Sequence, residues 1–454
     1  MVRIVTDEFD VAILGAGPGG EHAAYALHAA GRTVALIERE LIGGECSNWA
    51  CIPTKTLLRP TEVLGESRRA AGIHEGTLDW PDLDAYRDYM TSAGDDSARE
   101  KGYAGMGVEV IRGDGRLTGP GTLDVAGRQV HARQILISTG SGPVIPPLSG
   151  LQEAGYWTNR QATALHTIPN SVVVLGGGPV GIELAQFLRR FGASVTLVQG
   201  ADRLADREDP HVSELLGDSL AQDGIDVRTG VHATAVALRD GKRVVSLDSG
   251  GEVAGEQLVV AVGRRPRSHD IGLETIGVSP GDHGEVPVDE HCRVADGVWA
   301  CGDCTGVALF THLAKYQARI AMADMAGHPR PADYRAIPRV IFTDPEVAAV
   351  GLTEAQARDA GLDVAVVTLD LPSGGVARTY TYEKDPRGEM QLVFDRARRV
   401  MVGAWAVAPQ AGEWIHEAVL AIRAEVPYEV LVDTIPQFPS FSEGYLLSLL
   451  QLDL

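Results

Sequence analysis

The stretch Phe9-Asp10-Val11-Ala12-Ile13-Leu14-Gly15-Ala16-Gly17-Pro18-Gly19-Gly20 decides the fold. An apolar run with strand character stops at a cluster of glycines, and an alanine-rich helical segment follows. Thr33 to Ile37 reads as a second strand, ending in Glu38. Strand, glycine loop, helix, strand and acid, in that order, describe a dinucleotide-binding βαβ unit. Gly15, Gly17 and Gly20 let the backbone approach a pyrophosphate. The helix N-terminus offers it unpaired N–H groups and the positive end of a dipole. Glu38 stands at the spacing from which a carboxylate hydrogen-bonds a ribose hydroxyl.

The pattern recurs. Val172 to Leu175 leads into Gly176-Gly177-Gly178-Pro179-Val180-Gly181, then a helix, then Val195 to Val198 and Gln199. The copies superpose at one fixed offset: Gly15 on Gly176, Gly17 on Gly178, Gly20 on Gly181, Glu38 on Gln199. Two such loops predict two bound dinucleotides and an α/β fold with two Rossmann-like domains. A carboxylate at Gln199 would repel a 2′-phosphate and a neutral amide does not. Arg203 is placed to add positive charge nearby. The second site therefore leans to NADPH over NADH.

Between the loops lies Gly43-Gly44-Glu45-Cys46-Ser47-Asn48-Trp49-Ala50-Cys51-Ile52-Pro53-Thr54-Lys55. This cysteine pair, behind Gly-Gly and ahead of Ile-Pro-x-Lys, resembles the redox-active disulfide of the flavoprotein disulfide reductases. That family includes dihydrolipoamide dehydrogenase, glutathione reductase and mercuric reductase. The resemblance runs from about residue 9 to 445. Ile135 to Ser141 and Val259 to Pro266, apolar runs that stop at glycines, resemble the family's crossings out of its two dinucleotide domains. Val298-Trp299-Ala300-Cys301-Gly302-Asp303 resembles its second flavin motif. Phe342-Thr343-Asp344-Pro345-Glu346 and the strands that follow resemble its C-terminal dimerisation domain.

The resemblance implies four segments. Residues 1–148 and 272–335 form an FAD-binding domain, 149–271 an NAD(P)-binding domain, and 336–454 an α+β dimerisation domain. It implies FAD held through Gly15, Gly17, Gly20, Glu38, Gly44, Lys55, Gly115, Thr139, Gly140, Asp303 and Thr311. It implies NADPH or NADH held through Gly176, Gly178, Gly181, Gln199 and Gly263. Cys51 is expected against the flavin and Cys46 toward the substrate. Lys55 approaches the flavin paired with Glu183, since a buried lysine needs a counter-charge.

One departure matters. The family carries a His-Pro-x-x-x-Glu signature near its C-terminus, donated across the dimer, whose histidine exchanges the proton of the interchange thiol. Here the stretch is Phe438-Pro439-Ser440-Phe441-Ser442-Glu443. Glu443 is kept, and Phe438 stands where the histidine is expected. General acid–base help is worth about 10²–10⁴-fold in rate. The expected substrate is therefore an unusual small molecule: a disulfide-type acceptor needing no strong thiol base, or else a quinone. Trp49, Phe438 and Phe441 suggest an aromatic pocket for it. A thioether-cleaving reductase/carboxylase of the 2-oxopropyl-coenzyme M type also carries phenylalanine there, although it replaces the glutamate. Mercuric reductase uses a C-terminal cysteine pair, which Leu450-Gln451-Leu452-Asp453-Leu454 does not supply. A non-enzymatic scaffold sits poorly with two complete glycine loops, both cysteines, Lys55 and Glu183.

Composition sets the outer bounds. The chain has 454 residues, 44% hydrophobic and 22% charged, enough for about three globular domains. A net charge of −21 opposes nucleic acid and anionic lipid as partners. No apolar run is long enough to cross a membrane, and five cysteines do not make a secreted disulfide framework. Cys301 and Cys304 have the spacing of a metal pair but belong to the flavin motif, so no metal is expected. A cytoplasmic homodimer, with its active site shared across the interface, is the expectation.

Overall fold

A computed structural model describes residues 7–74 and 76–454. Residues 1–6 of the expected first flavin segment lie outside the described residues. The chain divides into two compact units, one of Met1–Pro53, Asp84–Val144 and Gly263–Ala332, the other of Thr54–Leu83, Ile145–Val262 and Asp333–Leu454.

The first unit is built on a mostly parallel sheet. Its spatial order is Arg293–Ala295, Val298–Ala300, Arg128–Ile137, Asp7–Leu14, Val34–Glu38 and Glu109–Arg112. Asp7–Leu14 pairs in parallel with Val34–Glu38 on one side, Val11 opposite Val34, and with Arg128–Ile137 on the other. A strand covered on both faces must be apolar throughout rather than alternating, and all five residues of Val34–Glu38 are buried. One face packs with Ala23, Ala24, Leu27 and Ile320, the other with Leu117, Leu123 and Ile271. Asp7–Leu14 is flanked by connections leading in opposite directions, so the loop after it lies at the switch point of the sheet, where open α/β sheets bind ligands.

The second unit repeats the motif and adds to it. Asp226–Arg228, Ser194–Val198, Ser171–Leu175 and Gln257–Val260 form a parallel sheet. A three-stranded antiparallel sheet (Ala233–Arg239, Lys242–Leu247, Glu252–Gly255) covers part of it, with Val236, Val245 and Leu258 in one cluster. The C-terminal part is a five-stranded antiparallel sheet, ordered Pro338–Ile341, Glu346–Gly351, Val400–Ala408, Glu389–Asp395, Val364–Asp370. Leu57 and Leu58, on the helix Cys51–Arg69, share a core with Phe187 and Trp405.

The terminal leucines divide. Leu449 and Leu452 are buried, while Leu450 is exposed. No helix among the described residues is long and apolar enough to cross a membrane.

Candidate functional site

The two glycine loops are the same object built twice. Gly15 N–H donates to Ile37 O at 2.8 Å, and Gly176 N–H to Val198 O at 2.8 Å. Gly17 and Gly178 precede the helices Pro18–Ala29 and Pro179–Arg190, each with proline in its first turn, where the missing N–H costs nothing. Open space faces both Gly17 and Gly178, whereas a Cβ at Gly20 would lie 2.0 Å from Gly15 O and one at Gly181 1.9 Å from Gly176 O. The helices can seat against their loops only because both positions are glycine. Each loop thus presents a helix N-terminus to open space, the arrangement that receives a pyrophosphate.

The acid positions also correspond. Glu38 Oε2 accepts the Ala16 N–H at 2.8 Å, and Gln199 Oε1 accepts the Gly177 N–H at 2.9 Å. Arg203 is pinned within its own loop. Its guanidinium donates to Glu208 O and Asp206 O and reaches Ser213 Oγ, so it closes its own loop. These acceptors are neutral, so the guanidinium keeps its charge while its direction is fixed.

The redox stretch grows out of the first loop. Gly43 N–H donates to Ala16 O at 2.8 Å. A Cβ at Gly44 would lie 2.9 Å from Gly17 Cα, so the chain passes closer to the loop than any side chain would allow. The short helix Gly44–Asn48 then presents Cys46, and the helix Cys51–Arg69 begins with Cys51. Both thiols are half-buried, and they share a hydrogen bond. That bond, then burial, pushes the Cys46 thiol up from its ordinary value. Cys51 Sγ lies 3.6 Å from Thr311 Oγ1, at the first residue of the helix Thr311–Met325. A helix N-terminus favours a thiolate there.

The remaining flavin-motif residues gather in the same unit. Ser141 Oγ donates to Asp303 Oδ2 at 2.6 Å, Thr139 Oγ1 to Arg267 O at 2.5 Å, and Arg267 N–H to Gly140 O at 2.9 Å. Gly115 opens a hairpin strand packed on Leu14 and Ile37; Gly263, expected to hold the nicotinamide dinucleotide, falls in this first unit, where its O accepts the Val144 N–H. Cys301 and Cys304 are fully buried, and burial pushes the Cys304 thiol up to about 11. Such a thiol is inert at neutral pH. Sequence reasoning singled out neither Arg264 nor Arg267, which hold Glu45 from the other end of the unit. The available signal was Glu45 itself, an acid beside a redox cysteine that requires a counter-charge.

In the second unit, Lys55 Nζ lies 2.7 Å from Glu183 Oε2 and 4.5 Å from the centre of the Phe342 ring. Glu183 is buried, and its other oxygen accepts the Phe342 N–H at 3.0 Å. Phe438 is 75% exposed. Glu443 is half-buried and accepts the Ser440 N–H at 3.4 Å, across its own turn. Phe441 corrects an expectation. It is buried between Trp414 and Tyr382 in the core of the C-terminal sheet, so it is a packing residue and not part of a pocket. Its apolar character alone did not distinguish the two.

Residues 9–327 match the pyridine nucleotide-disulphide oxidoreductase family, and residues 337–448 match its dimerisation domain. The chain is 31% identical over 459 residues to mercuric reductase of Staphylococcus aureus, a match covering 98% of this chain and 83% of that protein. It is 36% identical over 457 residues to dihydrolipoyl dehydrogenase of Chlorobaculum tepidum, covering 96% and 95%. Among solved structures, the Cu(II) complex of the HOCl-induced flavoprotein disulfide reductase RclA from Escherichia coli superposes with a TM-score of 0.87 at 28% identity, over 98% of this chain and 99% of that one. The dimerisation domain indicates a homodimer, and this part of the chain exposes Leu420, Val430, Ile435 and Phe438. Paired glycine loops, an adjoining thiol pair and a family match over most of the sequence agree, and the chain belongs to the class I flavoprotein disulfide reductases, the pyridine nucleotide-disulphide oxidoreductases.

Proposed function

We propose that this protein uses NAD(P)H, through a bound FAD, to reduce a Cys46–Cys51 disulfide, and that the dithiol reduces a disulfide-type small molecule. The hydrogen bond shared by Cys46 and Cys51, at the mouth of the first glycine loop, carries this reading. Residues 1–148 and 272–335 take the FAD, joined by 263–271, which pack in the first unit; the rest of 149–271 takes the nicotinamide dinucleotide, and 336–454 the dimer contact. A flavin, when bound, accepts a hydride and passes an electron pair to a thiol couple. Gly15, Gly17, Gly20, Glu38, Gly44 and Asp303 would hold it beside the thiol pair. Cys46 is the thiol that attacks substrate. Neutral Gln199 accepts either nicotinamide cofactor with a modest preference for NADPH, by removing repulsion rather than adding a cation.

Phe438 narrows the acceptor. The leaving sulfur receives no proton from that position, so an acceptor whose leaving group is already a stable anion suits the site. A thiophilic metal ion is a second reading, favoured by mercuric reductases among the relatives and by the Cu(II) complex of RclA. Two adjacent sulfurs chelate soft ions, and reduction of the ion needs no proton at sulfur. The proposed setting is a reducing, cytoplasmic compartment.

Anaerobic titration of the FAD-loaded dimer with NADPH tests the reading. The expected result is uptake of two reducing equivalents beyond the flavin and a long-wavelength thiolate-to-flavin absorbance. Flavin reduction without that band would remove the dithiol from the pathway and leave direct transfer to a quinone. A screen of activated disulfides, Hg(II), Cu(II) and quinones for NADPH oxidation then separates the acceptors.

A further inference from the structure

We propose that Glu45, held by Arg264 and Arg267, is a positioning residue that sets the redox potential of the Cys46–Cys51 couple. The proposal rests on the dithiol reading above.

Glu45 sits on the short redox helix, one residue before Cys46. Its side chain is only 14% exposed, and burying a carboxylate that deeply without a partner is costly. Arg267 Nη2 lies 3.2 Å from Glu45 Oε1, and Arg264 Nη2 3.6 Å from Glu45 Oε2. Both arginines come from the segment where the chain re-enters the first unit. Arg264 is itself fixed by two hydrogen bonds of 2.8 Å, from Nε to Ser141 Oγ and from Nη2 to Ser141 O. Ser141 in turn donates to Asp303 at 2.6 Å. A chain of polar contacts therefore runs from the second flavin motif to the residue next to the attacking thiol.

The charges of this cluster cancel in pairs. Asp303 and Glu45 supply two carboxylates, Arg264 and Arg267 two guanidiniums. On the thiols' own side, Thr311 hydrogen-bonds and Lys315 adds a positive charge. When the two thiols form the disulfide they release two electrons and two protons. Before that step, any thiolate character in the reduced pair is stabilised by positive charge nearby. Stabilising the reduced form raises the potential of a couple. Glu45 lowers it by cancelling one arginine, and Arg267 raises it.

Equilibrating the FAD-loaded dimer with glutathione buffers at pH 7, alkylating, and counting modified Cys46 and Cys51 by mass spectrometry gives the dithiol-to-disulfide constant. Glu45→Gln is expected to favour the dithiol about tenfold, about 30 mV for a two-electron couple. Arg267→Gln is expected to move it by a similar factor the other way, and the double variant to return near the parent. Glu45→Asp, which keeps the charge, stays near the parent as well. Flavin content and thermal unfolding confirm that each variant is folded. If Glu45→Gln fails to fold, the direction of Arg267→Gln still decides. Both single variants moving the same way, or neither moving, would overturn the proposal. A parent protein in which Cys46 and Cys51 never form a disulfide would instead overturn the dithiol reading.

Discussion

Lys55 and Glu183 are 2.7 Å apart, and Glu183 spends its second oxygen on the Phe342 N–H at 3.0 Å. One buried carboxylate thus orients a lysine and anchors the first residues after a strand of the C-terminal sheet. Glu183→Ala would leave both groups without that partner. Lys55 is 34% exposed and keeps part of its hydration, so the expected loss is about 1–2 kcal/mol. Glu183→Gln keeps an acceptor for Phe342 and should lose less. Thermal unfolding of the FAD-loaded variants ranks them; equal losses would mean that the ion pair, not the backbone bond, dominates.

The shared hydrogen bond of Cys46 and Cys51 makes their roles separable. Cys46→Ser should abolish turnover with disulfide acceptors while sparing much of any quinone reduction. It should also keep the long-wavelength absorbance, since Cys51 remains beside Thr311. Cys51→Ser should lose that band. Rates and spectra of the two variants check the assignment, and equal loss of both activities in Cys46→Ser would contradict it.

Local features of the fold were legible because short-range chemistry dictates them. A glycine loop must contain glycine at Gly20 and Gly181, where the loop carbonyl occupies the place of a Cβ, and this requirement is written in consecutive residues. The Glu45 cluster was not legible, since Arg264 and Arg267 reach it from beyond the entire inserted segment. Phe441 and Phe438 look alike in sequence, yet one is packed against Trp414 and the other is exposed. Arg203 has the right position for a phosphate and is engaged by carbonyls of its own loop. Long-range pairing and side-chain direction decide these cases, and neither has a local signature.

Phe438 is 75% exposed in the single chain, so substitution there should not unfold it. Phe438→His should restore a proton donor and raise turnover with a generic disulfide by about tenfold, short of the full range for acid–base help. Its rate should fall away as the imidazole leaves its working protonation state. Steady-state rates against pH provide the check. No gain in a folded dimer would show that the missing base is not what limits the reaction.

Gln199→Glu would place a carboxylate where Gln199 now accepts the Gly177 N–H. The new charge retains that bond, welcomes a 2′-hydroxyl and repels a 2′-phosphate. kcat/KM for NADPH should drop by about tenfold, with NADH unchanged or improved. Arg203→Ala should mainly destabilise its loop, because its guanidinium is engaged by Glu208 O, Asp206 O and Ser213 Oγ. A selective loss of NADPH in Arg203→Ala would assign that arginine to the cofactor after all.

Glu346 gives the stability a pH dependence. Burial pushes its carboxyl up to about 7, against the pull of the Gly412 N–H bond, and Glu62 and Glu413 add to the rise while Arg59 opposes it. In the unfolded chain the same group titrates near 4.5. Between these values the folded protein binds the extra proton, so raising the pH through this window removes stability. The full penalty is present above pH 7 and absent below 4.5. Its upper bound is about 3 kcal/mol, from the conversion of a pKa shift into free energy. Glu346→Gln keeps an acceptor for Gly412 and carries no charge. It should therefore unfold at a higher temperature than the parent at pH 8 and lie close to it at pH 5. A variant less stable at pH 8 would show that the charged form of Glu346 is held by its neighbours rather than resisted by them.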